Sequence, residues 1–288
     1  MRVCLMIEGQ EGVTWEQWLA LAQAAERAGL EALFRSDHYG SIVRGGEAGS
    51  LDAWAVLSAL AARTERIRLG TLVSPVTFRH ASVLAKCAAT AQEISGGRVE
   101  VGIGGGWYEA EHETYGFAFP PLGKRIDELG RQLEEVRRQW GEADDVWPKP
   151  SPRPNVIVGG GAKPRTVRAA VRHADEYNTT FATVDEARER RQVVDEAARE
   201  AGREPLAFSL MIGCTVGRDR AEADARLRAW RGVTGRDTEP PVAGTVDEVA
   251  TRLREYEAAG VERVMLQHLA HEDVEMVAVL GDVAAACA

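Results

Sequence analysis

Cysteine is scarce in this chain of 288 residues, and what there is follows no pattern. Cys4, Cys87, Cys214 and Cys287 contain no C-x-x-C pair and no zinc-site spacing, so neither a disulfide framework nor a zinc site is expected. Basic charge is in deficit. The net charge is −9, with the acidic residues spread along the chain, which leaves no basic face for a nucleic acid. No apolar run approaches the length of a membrane span. The N-terminal MRVCLMIEGQEG carries acid within its first ten residues, unlike a signal peptide. Free thiols in such a chain suit a reducing cytoplasm, and neither a membrane nor a nucleic-acid partner is expected. Several catalytic signatures are missing too. G-x-x-x-x-G-K-[ST], G-x-S-x-G and H-E-x-x-H do not occur. Glu8-Gly9-Gln10-Glu11 stands where a dinucleotide-binding sheet would carry G-x-G-x-x-G after its first strand.

What is present is a large apolar fraction, 45%, cut into short runs that alternate with amphipathic stretches. Val3-Cys4-Leu5-Met6-Ile7 reads as a strand. Thr14-Trp15-Glu16-Gln17 is a capping box opening a helix that Gly29 stops. The cycle recurs, with strands expected near 32–34, 67–75, 98–106, 156–158, 177–182, 206–216 and 264–267. Helices are expected at 52–64, 80–95, 122–140, after Pro164, from Thr183, from about 219, from Thr245 and over 272–286. Strands separated by helices run parallel through right-handed crossovers, and eight such units close a barrel. A (β/α)8 TIM barrel spanning 1–288 as one domain is therefore expected, with insertion loops at its C-terminal face. A doubly wound open sheet is the competing reading. The irregular stretches are 39–50, 107–121, 141–154 and 231–244.

Barrel chemistry sits where strands end on the C-terminal face, which gives a short list of candidates. The second strand ends in Ser36-Asp37-His38, where an Asp could orient or charge a His that titrates near neutrality, or could simply cap a loop. In Gly70-Thr71-Leu72-Val73-Ser74-Pro75 the Gly and Pro suggest a bulge, although Leu72 and Val73 could equally be core. Gly102, Gly104, Gly105 and Gly106 allow close approach to the backbone, and Trp107 could stack on a flat ring. Gly159-Gly160-Gly161-Ala162-Lys163-Pro164-Arg165 leads glycines into a helix N-terminus and forms the best phosphate site in the chain. Glu109, Glu111, His112 and Glu113 read as a solvated loop or helix turn, and His268 with His271 has no further ligand; no metal is expected. Strong nucleophiles are few at strand ends, as suits a bound cofactor that carries the chemistry.

The motifs resemble those of a known family. Arg66 to His80, and Ile94 to His112 with its Gly102-Ile103-Gly104-Gly105-Gly106-Trp107 core, are similar to the third- and fourth-strand signatures of luciferase-like flavin oxidoreductases. Gly159 to Thr166, Ala174 to Asn178 and Arg263 to His268 continue the likeness. It is nearest to the branch using coenzyme F420, a deazaflavin. The resemblance implies that Asp37 and His38 lie beside the cofactor ring and act in catalysis. It implies a Leu72–Val73 peptide, often cis, against that ring. It also implies cofactor contacts at Gly104, Gly105, Trp107, Gly159, Gly160, Gly161, Ala162 and Lys163. The implied activity is F420-dependent hydride transfer with a small organic molecule. The alternatives are an FMN-dependent monooxygenase of the same fold and a non-catalytic flavin- or ligand-binding barrel. A homodimer is expected. Two departures stand out. Trp107 occupies the place of a glutamate in F420-dependent sugar-phosphate dehydrogenases, and 141–154 is short, implying an open mouth or one covered by a partner subunit. One or both of the segments 39–50 and 231–244 are then expected to supply the lid.

Overall fold

Alternate residues of the first strand enter two different cores. Val3, Leu5 and Ile7 join the large apolar cluster shared with the helices, while Cys4 and Met6 join a small one with Phe34, Leu72, Ile157, Met211 and Met265. That period of two is what a strand with both faces buried requires. The computed structural model describes every residue except Glu47 and Arg236, which belong to two of the expected loops, and leaves the Glu142 side chain undescribed. In chain order the elements are β1 (Arg2–Ile7), α1 (Trp15–Arg27), β2 (Ala32–Arg35), α2 (Ala53–Ala61), β3 (Arg68–Pro75), α3 (Ala81–Ser95), β4 (Val99–Gly104), α4 (Glu109–Tyr115), α5 (Leu122–Arg137), β5 (Asn155–Gly159), α6 (Pro164–His173), β6 (Glu176–Thr180), α7 (Val184–Glu200), β7 (Ala207–Gly217), α8 (Arg220–Thr234), β8 (Val242–Thr245), α9 (Val246–Ala258), β9 (Arg263–Gln267) and α10 (Val274–Ala286).

Strands β1 to β7 and β9 form a closed parallel (β/α)8 TIM barrel, with β6–β7 pairing completing the ring. The added strand is β8, which lies within the stretch expected to be irregular. It pairs with the upper end of β7, from Cys214↔Val242 to Gly217↔Thr245, outside the ring. Helix starts follow local chemistry: Thr14 with Gln17 and Thr183 with Glu186 form reciprocal capping boxes. The expected 122–140 helix ends at Arg137 and continues as a π-turn over Arg138–Glu142. No described helix is long and apolar enough to cross a membrane.

The 141–154 connection lies on the face opposite the one anticipated. It runs from a helix into β5, so it belongs to the N-terminal end of the barrel. Pro152 there packs on Gly97 in the turn before β4 and accepts from Gln92 at 2.6 Å. Its length has no bearing on the mouth.

The barrel floor is ionic. Arg263 is fully buried at the start of β9 and donates to both Glu100 oxygens (2.8 and 2.7 Å) and to Glu176 at 2.5 Å. Arg68 adds a 2.6 Å bond to Glu100. Burial alone would raise the Glu100 carboxyl, but Arg263 and Arg68 bring it down to about 2. Glu176 shares the same guanidinium and is pushed up by burial, with the Glu100 charge adding to the rise. Removing the shared cation leaves Glu176 without a cation among the described residues and Glu100 with Arg68 alone, in low dielectric. Arg263→Met is accordingly expected to destabilise by about 3–5 kcal/mol, read as a lower urea midpoint. A midpoint within error of the parent would show that the cluster is not what holds the floor.

Candidate active site

The upper end of the barrel is shaped by one extra residue in β3. Between Thr71↔Val101 and Ser74↔Ile103 the chain advances three residues on β3 against two on β4, a bulge. The Leu72–Val73 peptide within it is cis. Alternation lapses there, and both side chains join the inner apolar cluster. Room for Val73 comes from glycines on the next two strands. A Cβ on Gly104 would lie 2.5 Å from Val73 Cγ2, and one on Gly159 3.2 Å from Val73 Cγ1. The glycines read as space for a ligand are thus partly filled by the protein's own valine. Gly105 instead faces Ile126, and its carbonyl accepts from Arg125 at 3.1 Å.

On the β2 side of the mouth, Asp37 and His38 part company. Asp37 is buried and accepts from Ser74 at 2.5 Å and from Arg79 at 2.6 Å; Arg79 also reaches Asp52 at 2.6 Å. The Arg79 guanidinium is held above its ordinary pKa, because Asp37 and Asp52 outweigh the cost of burying it. Asp37 is therefore not the hydrogen-bond partner of His38. That partner is Glu111 of α4, with Nδ1 to Oε1 at 2.6 Å, while the Tyr39 amide donates to Oε2 at 3.0 Å. The acidic stretch taken for a solvated loop or helix turn forms α4 and buries Glu111 and His112. His112 is a satisfied structural residue, with Nδ1 to the Tyr108 carbonyl and Nε2 to Thr77 Oγ1, both at 2.7 Å. His38 Nε2 has no such partner among the described residues, and the side chain remains 15% exposed. Burial lowers the His38 pKa, but Glu111, Glu8 and Asp37 together outweigh it, so it ends above its ordinary value. Trp107, 63% exposed, meets the His38 ring edge-on with centroids 5.8 Å apart.

At the end of β5 the polar groups divide. The Gly160 amide is spent on Asn178 O (3.0 Å) and the Ala162 amide on Tyr177 Oη (2.9 Å), with Ala162 at φ +54°. The amides of Gly161, Lys163, Arg165 and Thr166 have no acceptor among the described residues. Gly161 is exposed, and a Cβ there would meet nothing within 4 Å. Pro164 opens α6 at its first position. Arg165, expected to add charge here, turns instead to Asp127 and the Gly123 carbonyl. Lys163 stays exposed with no ion pair among the described residues. No group of three or more His, Cys, Asp or Glu side chains suited to a metal occurs among those residues.

With this geometry in hand, the chain can be set beside known proteins. The family model for luciferase-like monooxygenases matches residues 2–286. This chain belongs to that family. The F420-dependent glucose-6-phosphate dehydrogenase of Microbacterium testaceum is 33% identical over 172 residues, 54% of this chain and 50% of that protein. The chain spans about half the length of the curated relatives it matches first, 50–52%. Among solved structures, an F420-dependent secondary alcohol dehydrogenase in complex with an F420-acetone adduct is similar with a TM-score of 0.84 and 20% identity. That likeness covers 100% of this chain and 99% of the other. The oxygenating constituent of 3,6-diketocamphane monooxygenase from Pseudomonas putida, in complex with FMN, gives 0.78 at 16% identity, over 99% of this chain and 98% of that one. At these identities the two structures establish the shared barrel.

Within this luciferase-like barrel, the 39–50 stretch expected as a mobile lid is fastened at several points. The buried Glu11 carboxylate accepts from Ser41 Oγ and from the amides of Ile42, Val43 and Arg44, all at 2.7–3.0 Å. Arg44 pairs with Glu272, and Gly40 bridges Gly49. The buried Arg35 guanidinium, pushed down to about 10 by burial, holds Ser50 and Leu51 while lying over Trp18. On the far rim, Pro240 packs on Gly213 beside Gln267. Glu11 and Arg35 carried no signal in the sequence beyond being polar near strand ends, and Glu111 stood out only as one member of an acidic stretch.

The Glu11 clasp has a definite pH sign. Burial raises its pKa, but the three amides and Ser41 outweigh that, leaving it below the ordinary carboxyl range. A depressed carboxyl contributes stability above its unfolded pKa and loses it as pH falls through the lower folded value. Glu11→Gln is therefore expected to speed hydrogen exchange at the Ile42, Val43 and Arg44 amides at neutral pH. In the parent the same amides should lose protection only on acidification past the ordinary carboxyl range. Unchanged exchange in the variant would mean the loop is held by its other contacts.

Proposed function

We propose that this protein is an oxidoreductase that binds coenzyme F420 in the barrel mouth and exchanges a hydride with a small organic substrate, His38 moving the accompanying proton at Nε2. The observation that carries the reading is the division of polar groups around one mouth. Among the described residues, His38 has one nitrogen held and the other without a partner. The start of α6 presents unused amides beside an exposed lysine. Such amides at a helix N-terminus favour an anion. The cradle fits a phosphate-bearing cofactor because Gly161 leaves its space open.

Gly161 and Lys163 would hold the phosphate, with Gly160, Ala162 and Gly159 setting the turn that presents them. Leu72 and Val73, backed by Gly104, would form the apolar bed beneath the ring; Trp107 and Gly105 would flank it. When bound, the deazaflavin supplies hydride acceptance or donation at its C5. An imidazole can both give and take a proton, and the neighbouring carboxylates favour the protonated form of this one. Asp37 acts through Arg79 and Ser74 by fixing the end of β2 from which His38 projects. The same reading makes the protein a cytoplasmic homodimer without nucleic-acid or membrane partners, on the family likeness, the unpatterned free cysteines and the net charge of −9.

Absorbance titration with F420 and with FMN tests the cofactor. A spectral shift with F420 alone is expected, and Gly161→Asp should abolish it. An FMN shift alone would move the protein to the monooxygenase reading. His38→Ala should lower kcat by about 10²–10⁴-fold with F420 affinity retained. Full activity in that variant would remove His38 from the chemistry, and binding without turnover of any substrate would favour a non-catalytic binder.

A further inference from the structure

We infer that Glu111 is the positioning residue of this site: its carboxylate fixes the His38 proton on Nδ1 and leaves Nε2 as the one nitrogen that exchanges protons at the mouth. The inference rests on the reading of His38 given above and concerns what sets its tautomer and its charge.

The two Glu111 oxygens have separate tasks. Oε1 lies 2.6 Å from His38 Nδ1, and Oε2 takes the Tyr39 amide at 3.0 Å. The Glu111 side chain is 1% exposed, so water does not compete for either oxygen. An ionised carboxylate only accepts, and a nitrogen at 2.6 Å from it must therefore carry the proton. In neutral His38 the lone pair is then on Nε2, and on protonation Nε2 becomes a donor. Proton exchange with a substrate is confined to one atom.

The carboxylate is itself held in place. The next residue along α4, His112, is fixed through both ring nitrogens, to Tyr108 O and Thr77 Oγ1. Its ring packs against Phe78 and Phe119 at centroid distances of 5.0 and 4.5 Å. Glu111 is thereby presented from a packed platform, which is what a group that orients another must have. The charged groups facing His38 are Glu111 from α4, Glu8 just beyond β1 and Asp37 on its own segment. Asp37 is engaged by Arg79 and Ser74, and Glu8 by Gln10 and Gln267, so neither bonds the ring. Trp107 and Tyr108 meet the ring edge-on and carry no charge.

A structural role alone, holding Tyr39 to α4, predicts lost stability and nothing more. The two roles separate by NMR of 15N-histidine-labelled protein without cofactor. The parent His38 should show a protonated Nδ1 in its neutral form and titrate above an ordinary imidazole. In Glu111→Gln the charge is gone, and the apparent pKa should fall with a mixed tautomer population. The pH profile of kcat should move in the same direction and kcat should drop by at least about 10–100-fold, the order found when the partner orienting a metal-bound histidine is lost. Should the Gln variant not fold, Glu111→Asp keeps the charge but withdraws it by a methylene. It should retain part of the pKa rise and lose the tautomer preference. An unchanged titration and tautomer in either folded variant overturns the inference. The reading of His38 fails separately, through a fully active His38→Ala, whatever Glu111 does to the imidazole.

Discussion

The interaction on which this barrel rests is the guanidinium of Arg263 set between two carboxylates. A closed parallel sheet must fill its own interior, and the floor here is filled with charge. One cation placed at the start of β9 reaches Glu100 on β4 and Glu176 on β6. Three strands spread around the ring are thereby tied across its axis. A buried ion pair is not in itself strong evidence of stability, since desolvation offsets much of the Coulomb gain. Its geometry is nevertheless specific, because the bonds close only if the strands are staggered in one way. With the floor sealed by charge and the middle by Met6, Phe34, Ile157, Met211 and Met265, the upper end is left as the place for a ligand.

The upper end departs from regular sheet at β3, and neighbouring sequence is subordinate to that departure. The extra residue turns Leu72 and Val73 inward together. Val73 then claims volume that any side chain at Gly104 or Gly159 would occupy. Three separated stretches of sequence therefore answer to one local irregularity. The glycine-rich appearance of β4 and β5 has two distinct causes. Gly104 and Gly159 make room for protein, whereas Gly161 faces open space. A reading of composition alone cannot divide them, because both are simply glycine before a turn.

This distinction marks what was legible. The alternation of short apolar runs with helical stretches, the capping boxes at Thr14 and Thr183 and the stop at Gly29 are local signals, and the barrel followed from them. Strand β8 was hidden because Pro240 and Pro241 precede it, Gly244 sits at φ +138°, and it has only four residues. Glu111 was hidden for another reason. Its partner His38 lies 73 residues away, and a carboxylate among Glu109 and Glu113 looks solvated until tertiary packing buries it. Glu11 is the same case, a lone acid whose four donors come from a loop thirty or more residues on. The shortness of 141–154 says nothing about the mouth, since a segment entering a strand lies beneath the barrel.

The mouth is therefore built from two unlike halves. On the β2 side nearly every polar group is spoken for. Arg79 bonds Asp37, the Tyr39 amide bonds Glu111 and His112 is held by Tyr108 and Thr77, while His38 Nε2 is without a partner among the described residues. Low local dielectric makes such a satisfied network stiff, which is what the role proposed for His38 requires. On the α6 side the amides of the exposed Gly161, Lys163 and Arg165 have no acceptor among the described residues, and exposure keeps the cost of that small. They matter because the molecule as a whole carries −9 and repels an anion at long range. The positive end of α6 and Lys163 oppose that field at short range, within about a Debye length of 8–10 Å. Orientation of a cofactor can then be fixed by its phosphate at one edge while the chemistry is set at the other. The polar groups that hold and those that react need not share a residue.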